Sequence, residues 1–157
     1  MSETFQNPDD ETIYRLLETA RRIAVVGLSP KPHRDSSRIG QYLLGRGYEV
    51  VPVYPTEETI LGQKAYRRLQ DVPGRLDVVD VFRRSEELGK VVDDALAARA
   101  PAVWFQLGCV DEEAARRAQA AGLTVVMDRC IMVEHAALLG RNWKVSLGDT
   151  LGKPVEE

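Results

Sequence analysis

Gly27, Ser29 and Lys31 stand directly after the aliphatic run Ile23-Ala24-Val25-Val26. A buried strand that ends on glycine brings its backbone close to a phosphate, because no side chain blocks the approach. The hydroxyl of Ser29 and the positive charge of Lys31 suit the same ligand group. Arg34 and Arg38 follow in the next segment, and Arg83-Arg84 follow a second apolar run over residues 76–82. Guanidinium forks match phosphate oxygens in pairs. Tyr54, set between Pro52 and Pro55, offers a flat surface for a base. The combination fits a ligand with several phosphates, an adenine and an apolar arm.

Other residues invite reactive chemistry. Asp77 and Asp80 bracket a buried strand, but three apart they face opposite sides and cannot act on one substrate atom. Asp80 is expected to partner a backbone or arginine group. Cys130 falls at a strand end and near a helix start, where a thiolate is favoured. It could form a mixed disulfide with a thiol ligand or carry an acyl group. Cys109 has the weaker claim. His135 is within helical reach of Cys130, yet no third group orients the pair for nucleophilic catalysis. His33 reads as a loop residue. No His, Cys or carboxylate spacing matches a metal site, and no set of residues reads as catalytic.

These side chains need a scaffold, and the apolar periodicity supplies one. Ile13, Leu16, Leu17 and Ala20 form one stripe, predicting a helix to about Arg21 behind a cap in Asn7-Pro8-Asp9-Asp10. Strands are predicted over residues 23–26, 48–54, 76–82, 102–107 and 124–127. Helices are predicted over residues 37–46, with Ser36 as cap and Gly47 as terminator, then from Ser85 to Pro101, from Asp111 to Gly122, and near 133–139. Residues 56–69 are poorly patterned, with a short strand or turn at Ile60-Leu61-Gly62 and a helical turn at residues 67–69. Pro52 lacks the donor that a central strand needs, which suggests that pairing loosens where Val53-Tyr54-Pro55 leave the sheet. Strand and helix alternate, so the fold class is α/β: a single Rossmann-like doubly wound domain with a five-stranded, mainly parallel sheet flanked by helices. Ligands of such sheets sit at the carboxyl ends of the strands.

Composition sets bounds. A chain of 157 residues with 44% hydrophobic and 29% charged residues is read as one soluble globular domain. A net charge of −3 argues against a nucleic-acid partner. No apolar run approaches the ~20 residues of a membrane span, and the polar, acidic N-terminus lacks the layout of a signal peptide. Two cysteines are too few for a disulfide framework and suit a reducing compartment, so the expected location is cytoplasmic.

An NAD site would show Gly-x-Gly-x-x-Gly after the first strand and an acidic residue at the end of the second. Here Leu28 and Ser29 follow Gly27, and Val53-Tyr54-Pro55 occupy the second place. The P-loop spacing is absent.

The chain resembles the CoA-binding domain proteins, related to the CoA-binding domain of the succinyl-CoA synthetase alpha subunit. The marks are Ala24-Val25-Val26-Gly27-Leu28-Ser29, Gly47-Tyr48-Glu49-Val50-Val51-Pro52-Val53-Tyr54-Pro55 and Ile60-Leu61-Gly62. They continue in Asp77-Val78-Val79-Asp80-Val81-Phe82-Arg83-Arg84, Val103-Trp104-Phe105-Gln106-Leu107-Gly108 and Val126-Met127-Asp128-Arg129-Cys130. The resemblance implies coenzyme A as cofactor, with Gly27 and Ser29 at the phosphates. It implies Val53, Tyr54 and Pro55 as the adenosine-side wall, although the family usually has asparagine in place of Tyr54. It places Phe82 and Arg83 at the turn near the pantetheine and phosphates. Gln106, a neutral amide at the end of the fourth strand, is a candidate to bond the pantetheine. Lys31, Arg34, Arg38 and Arg84 are the further phosphate candidates.

The expected organisation is a Rossmann-like CoA-binding domain over residues 1–140 and a C-terminal tail over 141–157, packed on the same domain or trailing from it. The expected function is a stand-alone module binding CoA or acyl-CoA without catalytic machinery of its own. The alternatives are a subunit of a CoA ligase or acyl-CoA-handling enzyme that needs a partner chain, and a redox-sensing module for NAD or another adenine nucleotide. A homo-oligomer or a partner protein is compatible with the sequence but marked by none of its features.

Overall fold

Aliphatic runs without a polar face become parallel strands when helices cover both sides of the sheet. In the computed structural model, which describes residues 4–140, the chain runs through α1 (Asp10–Thr19), β1 (Arg22–Val26), α2 (Asp35–Gly45) and β2 (Glu49–Val53). A short antiparallel pair follows, β3 (Thr59–Ile60) and β4 (Gln63–Lys64), and then a single 3₁₀ turn at Leu69–Asp71. The chain continues through β5 (Val78–Val81), a 3₁₀ turn at Ser85–Glu87, α3 (Leu88–Ala97), β6 (Ala102–Phe105), α4 (Glu112–Ala120), β7 (Thr124–Met127) and α5 (Ile131–Leu138). The reading of residues 141–157 as a tail lies outside the described residues.

The main sheet has the order β2-β1-β5-β6-β7, and every neighbouring pair is parallel. The Rossmann-like α/β expectation is met. Chain direction across the sheet reverses between β1 and β5, and in doubly wound sheets this switch point opens the ligand crevice. Ile13 and Leu17 of α1, Ile39 and Leu43 of α2, and Ile131 of α5 are buried on one face. Val91, Val92 and Ala95 of α3, with Ala114, Ala115 and Ala118 of α4, are buried on the other. Each such Val, Leu or Ile contributes about 1.5–3 kcal/mol by leaving water.

Several local expectations are corrected. Strand–helix alternation fails between β2 and β5, where the β3–β4 pair and one 3₁₀ turn replace a helix. Pro52 does not loosen the ladder, because β2 pairs with β1 in register as far as Val53. β2 is the last strand of the main sheet on that side, and Pro52 faces away from β1. Its carbonyl accepts from Tyr66 N–H at 3.0 Å, so its missing donor also lies on that side and no β1–β2 bond is lost. Ser36 is not the cap of α2, since the helix begins at Asp35 with Arg34 at the cap position. The Ser36 hydroxyl accepts from Ser29 N–H instead, at 3.0 Å.

Asp80 is corrected as well. Its carboxyl is fully buried, with neither oxygen hydrogen-bonded among the described residues, on the row Val25–Asp80–Trp104–Val126 under α1, α2 and α5. Burial pushes it well above the ordinary carboxylate value, and the adjacent Val81 backbone offers only slight relief. The expected arginine partner is not there among the described residues, and the Val81 backbone is too poorly placed to hydrogen-bond the carboxyl.

Candidate functional site

The first turn is built by a glycine that no other residue could replace. Gly27 ends β1 at φ +88°, and its N–H donates to Val53 O at 2.9 Å. A side chain there would strike the Phe82 carbonyl, because β1 and β5 lie side by side and Phe82 N–H donates to Val26 O at 2.8 Å. Beyond the glycine, Ser29 holds the loop shut. Its N–H donates to Ser36, and its hydroxyl accepts from Lys31 N–H at 3.0 Å.

This turn, the start of α2 and the ends of β2 and β5 enclose a cleft of about 530 Å³. Gly27, Ser29, Lys31, Arg34, Tyr54, Phe82 and Arg83 line it, so seven of the residues singled out in the sequence meet in one place. No side chain caps α2, which leaves first-turn N–H groups and the positive end of the helix dipole at this cleft. Lys31 and Arg34 form no ion pair among the described residues, whereas Asp35 is engaged by Arg38. The cleft therefore presents hydrogen-bond donors and uncommitted positive charge, the chemistry of a phosphate site.

A second cleft of about 480 Å³ opens where the β2-to-β5 connection lacks a helix. Val26, Val53, Leu69 and Val91 give it apolar walls, and Arg67, Arg68, Gln70, Glu86, Glu87, Lys90 and Asp94 give it a polar rim. Arg83 lines both clefts. One extended ligand can therefore place its anionic part in the first cleft and a flat or apolar part in the second.

The remaining sequence candidates are placed elsewhere. Val53 belongs to the second cleft, and Pro55 is exposed beside both without lining either. Arg38 is turned back on Asp35 and donates to His33 O at 3.0 Å. Arg84 is exposed and pairs with Glu87 at 2.7 Å. Gln106 is buried, and its Oε1 accepts from Ile131 N–H at 3.1 Å, so that oxygen secures the start of α5. Cys130 occupies the cap position of α5, half-buried and outside both clefts. Cys109 is buried with its thiol donating to Arg83 O at 3.1 Å, and burial raises its pKa, which keeps it unreactive.

Sequence reading missed His33 and Ser36 as lining residues, and it missed the second cleft except for Val53 and Arg83. His33 lines the first cleft although it reads as an ordinary loop residue. The available signal for the second cleft was the pair Arg67-Arg68, lying in a stretch with no secondary-structure period. Among the described residues no three His, Cys, Asp or Glu side chains gather as a metal site would require. No helix among them is long and apolar enough to cross a membrane.

Comparison with known proteins agrees with this fold. The profile of a CoA binding domain matches residues 21–136. The uncharacterized protein YneT of Bacillus subtilis is 45% identical over 131 residues, which cover 83% of this chain and 97% of that one. A hypothetical protein of Pyrococcus horikoshii has a solved structure with TM-score 0.82 and 42% identity, covering 89% of this chain and 100% of its own. The dinucleotide forming acetyl-coenzyme A synthetase 1 of Ca. Korarchaeum cryptofilum matches with TM-score 0.64 and 29% identity. That match covers 74% of this chain and 28% of the synthetase.

Proposed function

The chain belongs to the CoA-binding domain family, and from that premise we propose that it binds coenzyme A or an acyl-CoA as a binding module at the switch point of its sheet. The observation that carries this reading is the first cleft. A glycine turn, an uncapped helix start, Lys31, Arg34 and Arg83 converge on one space of about 530 Å³, roomy enough for a diphosphate. The diphosphate of CoA occupies that cleft, and its nucleoside lies against Val26 and Val53 in the second. Among the described residues no group near either cleft is arranged as a nucleophile with its base, so the contribution of the chain is to hold and orient the ligand. The module works in the cytoplasm, where free thiols such as Cys109 and Cys130 persist.

Thermal unfolding with CoA, dephospho-CoA, NAD and ATP in separate samples tests this. A ligand at one hundred times its dissociation constant adds about 2.7 kcal/mol. CoA is expected to raise the melting temperature and NAD to leave it unchanged. A shift with NAD and none with CoA would overturn the reading.

A second reading has one observation behind it. The chain corresponds to little more than a quarter of the Korarchaeum synthetase, so it can serve as the CoA-holding part of a ligase completed by a partner chain. Pull-down from the native host in the presence of CoA would then recover a nucleotide-binding ligase subunit.

A further inference from the structure

On the reading that CoA spans the two clefts, we propose that Arg67 recognises the phosphomonoester on the ligand's ribose and makes the chain select CoA over dephospho-CoA. The clefts meet at Arg83, so a diphosphate in the first delivers the ribose to the mouth of the second, next to the end of β2. That end is held rigidly. Tyr66 N–H donates to Pro52 O at 3.0 Å and Tyr54 N–H donates to Tyr66 O at 2.8 Å, which fixes the backbone immediately before Arg67.

Charge is distributed unevenly across the second cleft. Glu86, Glu87, Lys90 and Asp94 come from the turn before α3 and from α3 itself, and Arg67 and Arg68 come from the connection between β4 and β5. The carboxylates on the α3 side are ion-paired with Lys90, Arg83 and Arg84, so a second anionic group on the ligand is drawn to the side of Arg67 and Arg68. The cations of this cleft differ in their commitments. Arg68 is paired with Asp71 at 3.1 Å, Lys90 with Asp94 at 3.4 Å and Arg83 with Glu87 at 3.7 Å. Arg67 has no ion pair or hydrogen bond among the described residues, and its side chain is exposed at the rim. A guanidinium that gives up no existing partner gains most from a phosphate, because binding replaces only water.

Isothermal titration of the full chain with CoA and with dephospho-CoA tests the assignment, using wild type, Arg67→Ala and Arg68→Ala. Wild type is expected to bind CoA at least about tenfold more tightly than dephospho-CoA, the scale of one charge-assisted contact. Arg67→Ala is expected to bind the two alike, with its affinity for dephospho-CoA unchanged from wild type, and Arg68→Ala to keep the preference. The assignment is overturned if wild type binds both ligands equally, if Arg67→Ala weakens both to the same degree, or if the preference is lost in Arg68→Ala alone. Binding of neither ligand by wild type overturns the CoA reading itself. Because Arg67 is exposed, unchanged melting temperatures in the ligand-free variants establish that any difference is one of binding.

Discussion

A Cβ placed on Gly27 would lie 2.2 Å from the carbonyl oxygen of Phe82, far inside van der Waals contact. The ends of β1 and β5 are thus closed against each other at the switch point, and the glycine turn takes its shape from that closure. Gly27→Ala adds a backbone strain at φ +88° to the steric conflict. It is expected to lower stability by about 3 kcal/mol, a fall in melting temperature of roughly 6–12 °C for a domain of this size. Melting followed by circular dichroism measures it, and a variant as stable as wild type would remove the constraint.

The arginines after β5 should separate cleanly. Arg83 lines both clefts, whereas Arg84 is exposed and tied to Glu87. Arg83→Ala is expected to weaken CoA binding about tenfold, and Arg84→Ala to change it by less than twofold. Ser29→Ala removes the hydroxyl that holds Lys31 N–H and is expected to weaken binding while leaving the fold intact. Titration calorimetry at two salt concentrations checks all three, because a phosphate contact loses strength as salt rises.

Asp80 predicts a pH effect on stability. Burial raises its folded-state pKa above the unfolded value of 3.8, so the native state retains a proton that the unfolded state releases. Its cost is absent below that value. Stability then falls as pH rises from the unfolded pKa towards the folded one, by up to about 1.4 kcal/mol per pH unit, and levels off above it. Asp80→Asn carries no such proton and is expected to lose this slope, gaining at least about 1 kcal/mol at neutral pH. Urea unfolding at several pH values compares the two proteins.

Asn7 guards an open sheet edge. Its side-chain amide donates to Met127 O at 3.0 Å and accepts from Met127 N–H at 2.7 Å, imitating a neighbouring strand beside β7. Edge strands with free backbone groups recruit other chains. Asn7→Ala is expected to cost about 1–2 kcal/mol and to increase aggregation on heating, which light scattering during thermal unfolding records.

The strands, most of the helices and the glycine turn after β1 were legible because their signals are local. Asp111 caps α4 by accepting from Ala114 N–H, and Asp9 caps α1 by accepting from Thr12 N–H, both within one turn of the chain. An aliphatic run ending on glycine announces a buried strand wherever it falls. The resemblance to the CoA-binding family rested on several such runs together, and the match over residues 21–136 agrees with it.

What the sequence determined by itself was therefore the parallel α/β sheet, the glycine turn after β1 and the positive charge gathered near it. Which charges line the clefts was decided only by the tertiary structure. Arg83 and Arg84 are adjacent and alike in type, yet one enters both clefts and the other pairs outward. Gln106 looked free at a strand end, but α5 folds over it and takes its oxygen. His33 and Arg67 lie far apart in the chain and come to neighbouring clefts because the switch between β1 and β5 draws their loops to one edge. Strand order and side-chain pairing arise from contacts between distant segments, and no local pattern of residues encodes them.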